Sequence, residues 1–255
     1  MNNFKDYKFR CHYLYELCSD GKGMLTEKQA EEIKALEAKE KLTEKQAEKL
    51  SFLRQKRDNP ELPEMLKTRV ETEAKRLLGI PLPSVGNKYT QKGLEAEDEA
   101  IELLSDKFGE LLLKNEKRID NEYITGIPDV LEPLVDNKAS WDGRTFPLFE
   151  KNLDKRYWLQ MQGYLFLTGK KQGFVCYTLI NTPHSLIEYH ARNKCKENGE
   201  EYSDEIFNKY KKEMSFDHLP NSLRTKTFVV DRDENAISKI KERVKMAREY
   251  GNKLI

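Results

Sequence analysis

Two aspartates and a lysine carry the first chemical signal. In the segment ITGIPDVLEPLVDNKAS, Ile124 to Ser140, Asp136 and Lys138 are two residues apart and share one face of an extended strand. The run before them can fold back on it. With Leu131–Leu134 as a four-residue loop, Val130 stands opposite Val135 and Asp129 opposite Asp136, at Cβ separations of about 4.5–5.5 Å. Pro133 disfavours a tighter two-residue turn. Like charges directly opposite destabilise a sheet, and these two sit among Ile124, Ile127, Val130, Leu131, Leu134 and Val135. A shared proton would offset the repulsion; a divalent cation would do so using both charges. A surface hairpin with a lysine salt bridge is the plain alternative.

A third acid lies upstream. In KGLEAEDEAIELL, Glu95, Asp98, Glu99 and Glu102 make one polar helix face, while Glu97 has Gly93, Leu94, Ala100 and Ile101 as its helical neighbours. An unpaired buried carboxylate is costly, and reaching the hairpin site would relieve that cost; snorkelling to the stripe's edge is the alternative. Downstream, WLQMQGYLFL places Gln160 and Tyr164 one turn apart, an amide and a phenol able to orient phosphate, water or metal ligands.

Positioning these groups requires a layered core. The pattern predicts helices over 64–78, 91–108, 153–168, 200–214 and 234–250, and strands over 122–131, 134–140, 173–180, 185–191 and 224–231. A Pro81/Pro83/Gly86 loop separates the first helix from the second. The expected class is α/β (α+β), a central mixed sheet flanked by helices. Ahead of it LTEKQAE occurs twice, at 25–31 and 42–48. Each copy has Thr three residues before Gln, a capping box. Two charged helices, 26–40 and 43–58, are expected to form an antiparallel hairpin, a helical insertion over 24–58.

The order Gly93-x-x-x-Glu97-x-x-Ala100, Gly126-x-Pro128-Asp129, Asp136-x-Lys138 and Gln160-x-x-x-Tyr164 resembles the PD-(D/E)XK nuclease superfamily. Within it, the chain is similar to the lambda-type (YqaJ-like) viral-recombinase exonucleases of phages and prophages. The resemblance is strong over about 88–190 and weak at the ends. It departs from the commoner pattern in having Asp136 where Glu is usual. It implies a restriction-endonuclease-like core, a single nuclease domain over 1–255 with its catalytic core at 88–191, and a metal-dependent deoxyribonuclease. The implied reaction is 5′ to 3′ hydrolysis from a duplex end in phage recombination, with a single-strand annealing protein as partner and a homotrimer as assembly.

As the resemblance implies, Asp129, Asp136, Glu97 and the Asn137 carbonyl would hold Mg²⁺, with Mn²⁺ as substitute; all-oxygen donors suit these ions. Lys138 would orient or deprotonate the attacking water, and Gln160 would position it. Tyr164, Lys155 and Arg156 are candidate phosphate contacts, with Arg224 and Lys226 on the late strand. Trp141 and Phe146 are candidates for stacking on an unpaired end, or for packing under the loop. Arg10 would receive a terminal phosphate.

With 45 basic and 44 acidic residues, the net charge of +1 excludes a histone-like protein. No run approaches a membrane span, and MNNFKDYKFR lacks a secretory signal, so a cytoplasmic setting is expected. Cys11, Cys18, Cys176 and Cys195 lack the clustered spacing of the family's iron–sulfur branch, and His12, His184, His190 and His218 fit no zinc frame. Two other functions stand beside the exonuclease: a structure- or site-specific endonuclease, and a catalytically inactive DNA-binding protein on the same scaffold.

Overall fold

The computed structural model describes residues 3–21, 23–83 and 88–255; Gly86 of the expected loop lies outside them. The elements in chain order are β1 (Phe9–Arg10), α1 (Leu14–Leu17), α2 (Glu27–Glu37), α3 (Glu44–Asp58), α4 (Glu64–Leu77), α5 (Lys88–Glu95), α6 (Glu97–Phe108), β2 (Ile119–Asp120), β3 (Ile124–Gly126), β4 (Val135–Ala139), α7 (Lys155–Thr168), β5 (Gln172–Thr178), α8 (His184–Asn198), α9 (Asp204–Glu213), α10 (Asn221–Arg224), β6 (Thr225–Asp231) and α11 (Glu234–Asn252). The class is mixed α/β, as the patterning predicts. Two compact units emerge, one of residues 1–82, 121–124 and 234–255, the other of 83–120 and 125–233.

In the first unit α11 packs on α4 and α1. Gly251 of α11 lies against Phe4, whose ring leaves no room for a Cβ. The repeat folds as predicted. Thr26 and Thr43 each cap a helix, and Gln29 and Gln46 return the bond to the cap's own N–H. The two helices close on Ile33, Leu36, Leu50 and Leu53. The seventeen-residue spacing of the copies reappears as ion pairs: Glu32 with Lys49, and Glu37 with Arg54.

The second unit is built on the sheet β4-β5-β6. β4 and β5 are parallel, with Asp136 beside Val175 and Lys138 beside Tyr177; β6 is antiparallel to β5. A parallel pair needs a crossover of a dozen or more residues, and α7 supplies it, ending at Gly169 in the left-handed conformation. Gly173 of β5 is required by close approach, since a Cβ would come within 2.6 Å of Met161 Sδ. A core of Ile101, Leu104, Leu112, Val130, Val135 and Cys176 packs α6 against this sheet. All four cysteines are buried thiols. Among the described residues, no helix is long and apolar enough to cross a membrane.

Three elements differ from expectation. The helix expected over 91–108 is two, α5 and α6, broken at Ala96 (φ −115°, ψ 15°). The strand expected over 185–191 is the helix α8, which buries Leu186, Ile187, Ala191 and Cys195 along one face and ends at left-handed Gly199. The strand expected over 122–131 is extended and paired only at 124–126, with Val130 making an isolated bridge.

Candidate active site

Val130 and Val135 exchange both backbone hydrogen bonds, at 3.1 and 3.0 Å, around the loop 131–134. This is the predicted register, and it sets Asp129 beside Asp136. The two carboxylates are held differently. Asp129 Oδ2 accepts the Asn137 N–H at 2.5 Å. Asp136 is 2% exposed; its Oδ1 accepts from Gln160 Nε2 at 3.2 Å. Its Oδ2 lies 2.7 Å from Lys138 Nζ, yet no hydrogen bond of workable angle reaches that oxygen.

Gln160 joins the parts. Its Oε1 accepts from Lys138 Nζ at 3.3 Å, and its Nε2 donates to Tyr164 Oη at 3.0 Å as well as to Asp136. Tyr164 Oη donates onward to the Ile127 carbonyl at 3.2 Å. Four residues from two elements thus form one buried chain, running from the strand β4 to the helix α7 and back to the segment before Asp129. The chain leaves one acceptor over, Asp136 Oδ2, which has only the Lys138 ammonium against it.

The electrostatics follow from burial. Burial, and then the Asp136 charge, push the Asp129 carboxyl up to about 7, with a smaller push from Glu97. Burial also raises the Asp136 carboxyl, against the pull of Lys138. For Lys138 burial acts downward, but the adjoining Asp136 carboxylate outweighs it and the net direction is up. Lys138 is therefore held as an ammonium. Its Nζ also lies 4.9 Å over the Tyr157 ring, a contact that no sequence signal had marked.

Glu97 takes the edge position of the two that were open to it. It opens α6 after the break at Ala96, with Ala100 and Ile101 buried on its C-terminal side and Leu94, in α5, 71% exposed. Glu97 is half-buried, and its Oε2 pairs with Lys114 Nζ at 2.9 Å; Lys114 also pairs with Asp98. Lys114 bridges to Val130 across an antiparallel contact, which brings Glu97 to the Asp129 side of the site. Lys114 was missed because nothing in its local pattern, LLLK, announces that pairing.

The Asn137 side chain accepts from Thr178 Oγ1 at 3.0 Å, tying β4 to β5. Lys155 and Arg156 are exposed at the first turn of α7, with Arg156 paired to Asp154 at 2.6 Å. Arg10 is exposed at the end of β1, in the first unit. Trp141 and Phe146 take the packing role. Trp141 is buried with Leu186, Ile187, Phe207 and Met214, and Phe146 with Leu179 and Phe216, so neither presents a ring face for stacking. Arg224 is likewise buried, donating to the Leu179 carbonyl and paired with Glu99 and Asp217 rather than offered to a phosphate. Lys226 is half-buried, its Nζ 5.3 Å over the Phe228 ring.

Among the described residues, no three His, Cys, Asp or Glu side chains stand ready as a metal cage; the ammonium groups of Lys138 and Lys114 lie against Asp136 and Glu97 instead. The donor chemistry nevertheless fits a hard divalent cation. A half-buried and a buried carboxylate adjoin, burial and then the Asp136 charge raise Asp129 to about 7, and Asp136 Oδ2 accepts no hydrogen bond.

No family model and no curated protein matches the chain. Solved structures do. A phage-related exonuclease from Haemophilus somnus 129PT is similar at 28% identity and a TM-score of 0.71, over 98% of this chain and 95% of that one. An alkaline exonuclease, LHK-Exo from Laribacter hongkongensis, shares the fold at 14% identity and a TM-score of 0.52, over 96% and 87% of the two chains. The same exonuclease in complex with dAMP gives 14% and 0.53. The resemblance to phage exonucleases drawn from the short motifs is thus borne out over nearly the whole chain.

Proposed function

We propose that this chain is a metal-dependent deoxyribonuclease that hydrolyses DNA phosphodiester bonds, acting 5′ to 3′ from the end of a linear duplex in phage recombination or DNA processing. The observation that carries this reading is the Asp129–Asp136–Lys138–Gln160 cluster. It lies in a chain similar, over almost its full length, to a phage-related exonuclease.

Asp129, Asp136, Glu97 and the Asn137 carbonyl would hold Mg²⁺, with Mn²⁺ as substitute. When bound, such an ion supplies a more acidic water and neutralises charge on the phosphate. The side chains do the rest. Lys138, kept an ammonium by Asp136, orients the attacking water and stabilises the charge that builds on phosphorus. With a cation on Asp129 and Asp136 the pull of those carboxylates on its proton would weaken, and Lys138 could also deprotonate that water. Gln160 fixes Lys138 and Asp136 relative to each other, and Tyr164 fixes Gln160. Lys155 and Arg156 contact backbone phosphate, which positions DNA without reading sequence. A homotrimer working beside a single-strand annealing protein in the cytoplasm completes the proposal.

The test is incubation of linear and covalently closed circular DNA with Mg²⁺ or with chelator. Loss of linear DNA alone, in Mg²⁺ alone, is expected. Nicked circles would replace the reading by an endonuclease, and intact DNA of both kinds by a binding protein. End-labelled substrate reads the polarity.

A further inference from the structure

Lys92 of α5 is fully buried and takes no part in the site described above. Its Nζ donates to two main-chain carbonyls, Ile180 O at 2.7 Å and Trp141 O at 3.0 Å. The Phe216 and Trp141 rings lie 5.7 and 6.0 Å away. The charges that bear on it are Glu99 of α6 and Asp142 of the loop after β4. Burial outweighs both and pushes the amine down to about 7. A neutral amine has two N–H groups, one for each carbonyl.

A buried lysine is an expensive residue compared with leucine or methionine, so its location needs a reason. Trp141 lies two residues past the end of β4 and three past Lys138, and Ile180 lies two residues past the end of β5, which pairs with β4. On the other side, Lys92 precedes Glu97 by five residues, across the break at Ala96. A broken helix does not transmit orientation as a continuous one does. One amine therefore bridges the helix pair bearing Glu97 and the exits of the two strands that fix Asp136 and Lys138. We infer that Lys92 is a positioning residue of the candidate site, holding Glu97 in register with Asp136 and Lys138 by clasping α5 to the ends of β4 and β5. The inference rests on the nuclease reading above.

A double-mutant cycle separates positioning from mere support of the fold. Lys92→Met keeps most of the side chain's length and apolar volume; Glu97→Gln removes the acid it is said to position. The turnover rate on linear duplex DNA and the Mn²⁺ affinity by calorimetry are measured for the wild type, both single variants and the double variant. Lys92→Met should lower kcat about tenfold or more and weaken Mn²⁺ about fivefold, with KM for DNA within about twofold. Added to Glu97→Gln, it should change either quantity by no more than about twofold. Losses that multiply in the double variant, or a Lys92→Met protein indistinguishable from wild type, would overturn the inference alone. A wild type that neither binds Mn²⁺ nor cuts DNA would overturn the nuclease reading and this inference with it. If Lys92→Met does not fold, Lys92→Gln, which retains a donor, takes its place in the cycle. Failure of both to fold overturns the inference too, because the amine would then be holding the fold and not the site.

Discussion

Gln160 grips Lys138 and Asp136 at once, accepting from the ammonium at 3.3 Å and donating to the carboxylate at 3.2 Å. The ion pair between those two is thus held from a second element, the crossover helix α7. Substituting the strand's own groups should therefore remove chemistry and leave the scaffold. Asp129→Ala and Lys138→Ala are each expected to lower DNA cleavage by about a hundredfold or more. Far-ultraviolet circular dichroism and DNA binding should stay near wild type. A retained rate within about tenfold would count against the site.

Tyr164 tests the supporting layer. Its hydroxyl receives from Gln160 and donates to the Ile127 carbonyl in a buried setting. Tyr164→Phe leaves one Gln160 amide proton unsatisfied in a buried position, at a cost of about 1–3 kcal/mol. A lower denaturation midpoint is expected, together with a kcat reduced by about three- to thirtyfold and an unchanged KM. An equal loss in KM would place Tyr164 on the DNA instead.

Lys114 makes a prediction of the opposite sign. Its ammonium pairs with Glu97, so any cation that Glu97 binds must displace it. Lys114→Met should lower the Mg²⁺ concentration for half-maximal cleavage, by about threefold or more. A higher requirement would show that Lys114 helps to hold the site open.

The Asp129 carboxyl gives a pH dependence to the metal-free protein. Folding raises its pKa from 3.8 to about 7. Between those values the folded chain keeps a proton that the unfolded chain has released. This contribution to stability is present in full below about 4 and is lost as pH rises to about 7. In chelator, Asp129→Asn should flatten the fall in melting temperature between pH 5 and pH 8, and melt higher than wild type at pH 8. Parallel curves would show that Asp129 is ionised throughout.

The helical hairpin should be dispensable for chemistry. Its own apolar cluster is closed within α2 and α3, while Gly23 and Glu61 beside its base are joined by a backbone hydrogen bond. Replacing residues 25–59 by a short Gly-Ser link retains Met24, which lies against Arg243. Cleavage of linear DNA by the shortened protein is expected within about threefold of the full chain; a larger loss would give the hairpin a part in substrate handling.

The parts of the site that were legible in sequence are those set by local rules. Period two and loop length fix Asp129 against Asp136, and helical spacing joins Gln160 to Tyr164. Both capping boxes were readable because a Thr and a Gln three residues apart satisfy each other's backbone. What was illegible depends on long-range packing. The 185–191 run looks like a strand because its apolar residues are bulky and clustered. Its true face, Leu186, Ile187, Ala191 and Cys195, appears only when read on to Cys195, and Gly199 then marks the helix end. The helix break before Glu97 was illegible because an alanine at position 96 carries no local signal. Trp141 and Arg224 look like ligand contacts in a chain with charge to spare, and only the fold shows them occupied.

The four-residue loop between Val130 and Val135 acts as a ruler. Each strand step turns a side chain to the opposite surface, so one residue inserted before β4 must either be absorbed as a bulge or present Val135 and Asn137 where Asp136 and Lys138 now stand. A slipped strand would draw Val135 out of the core and the charged pair off its surface together, so this segment's length is held by packing and by chemistry at once.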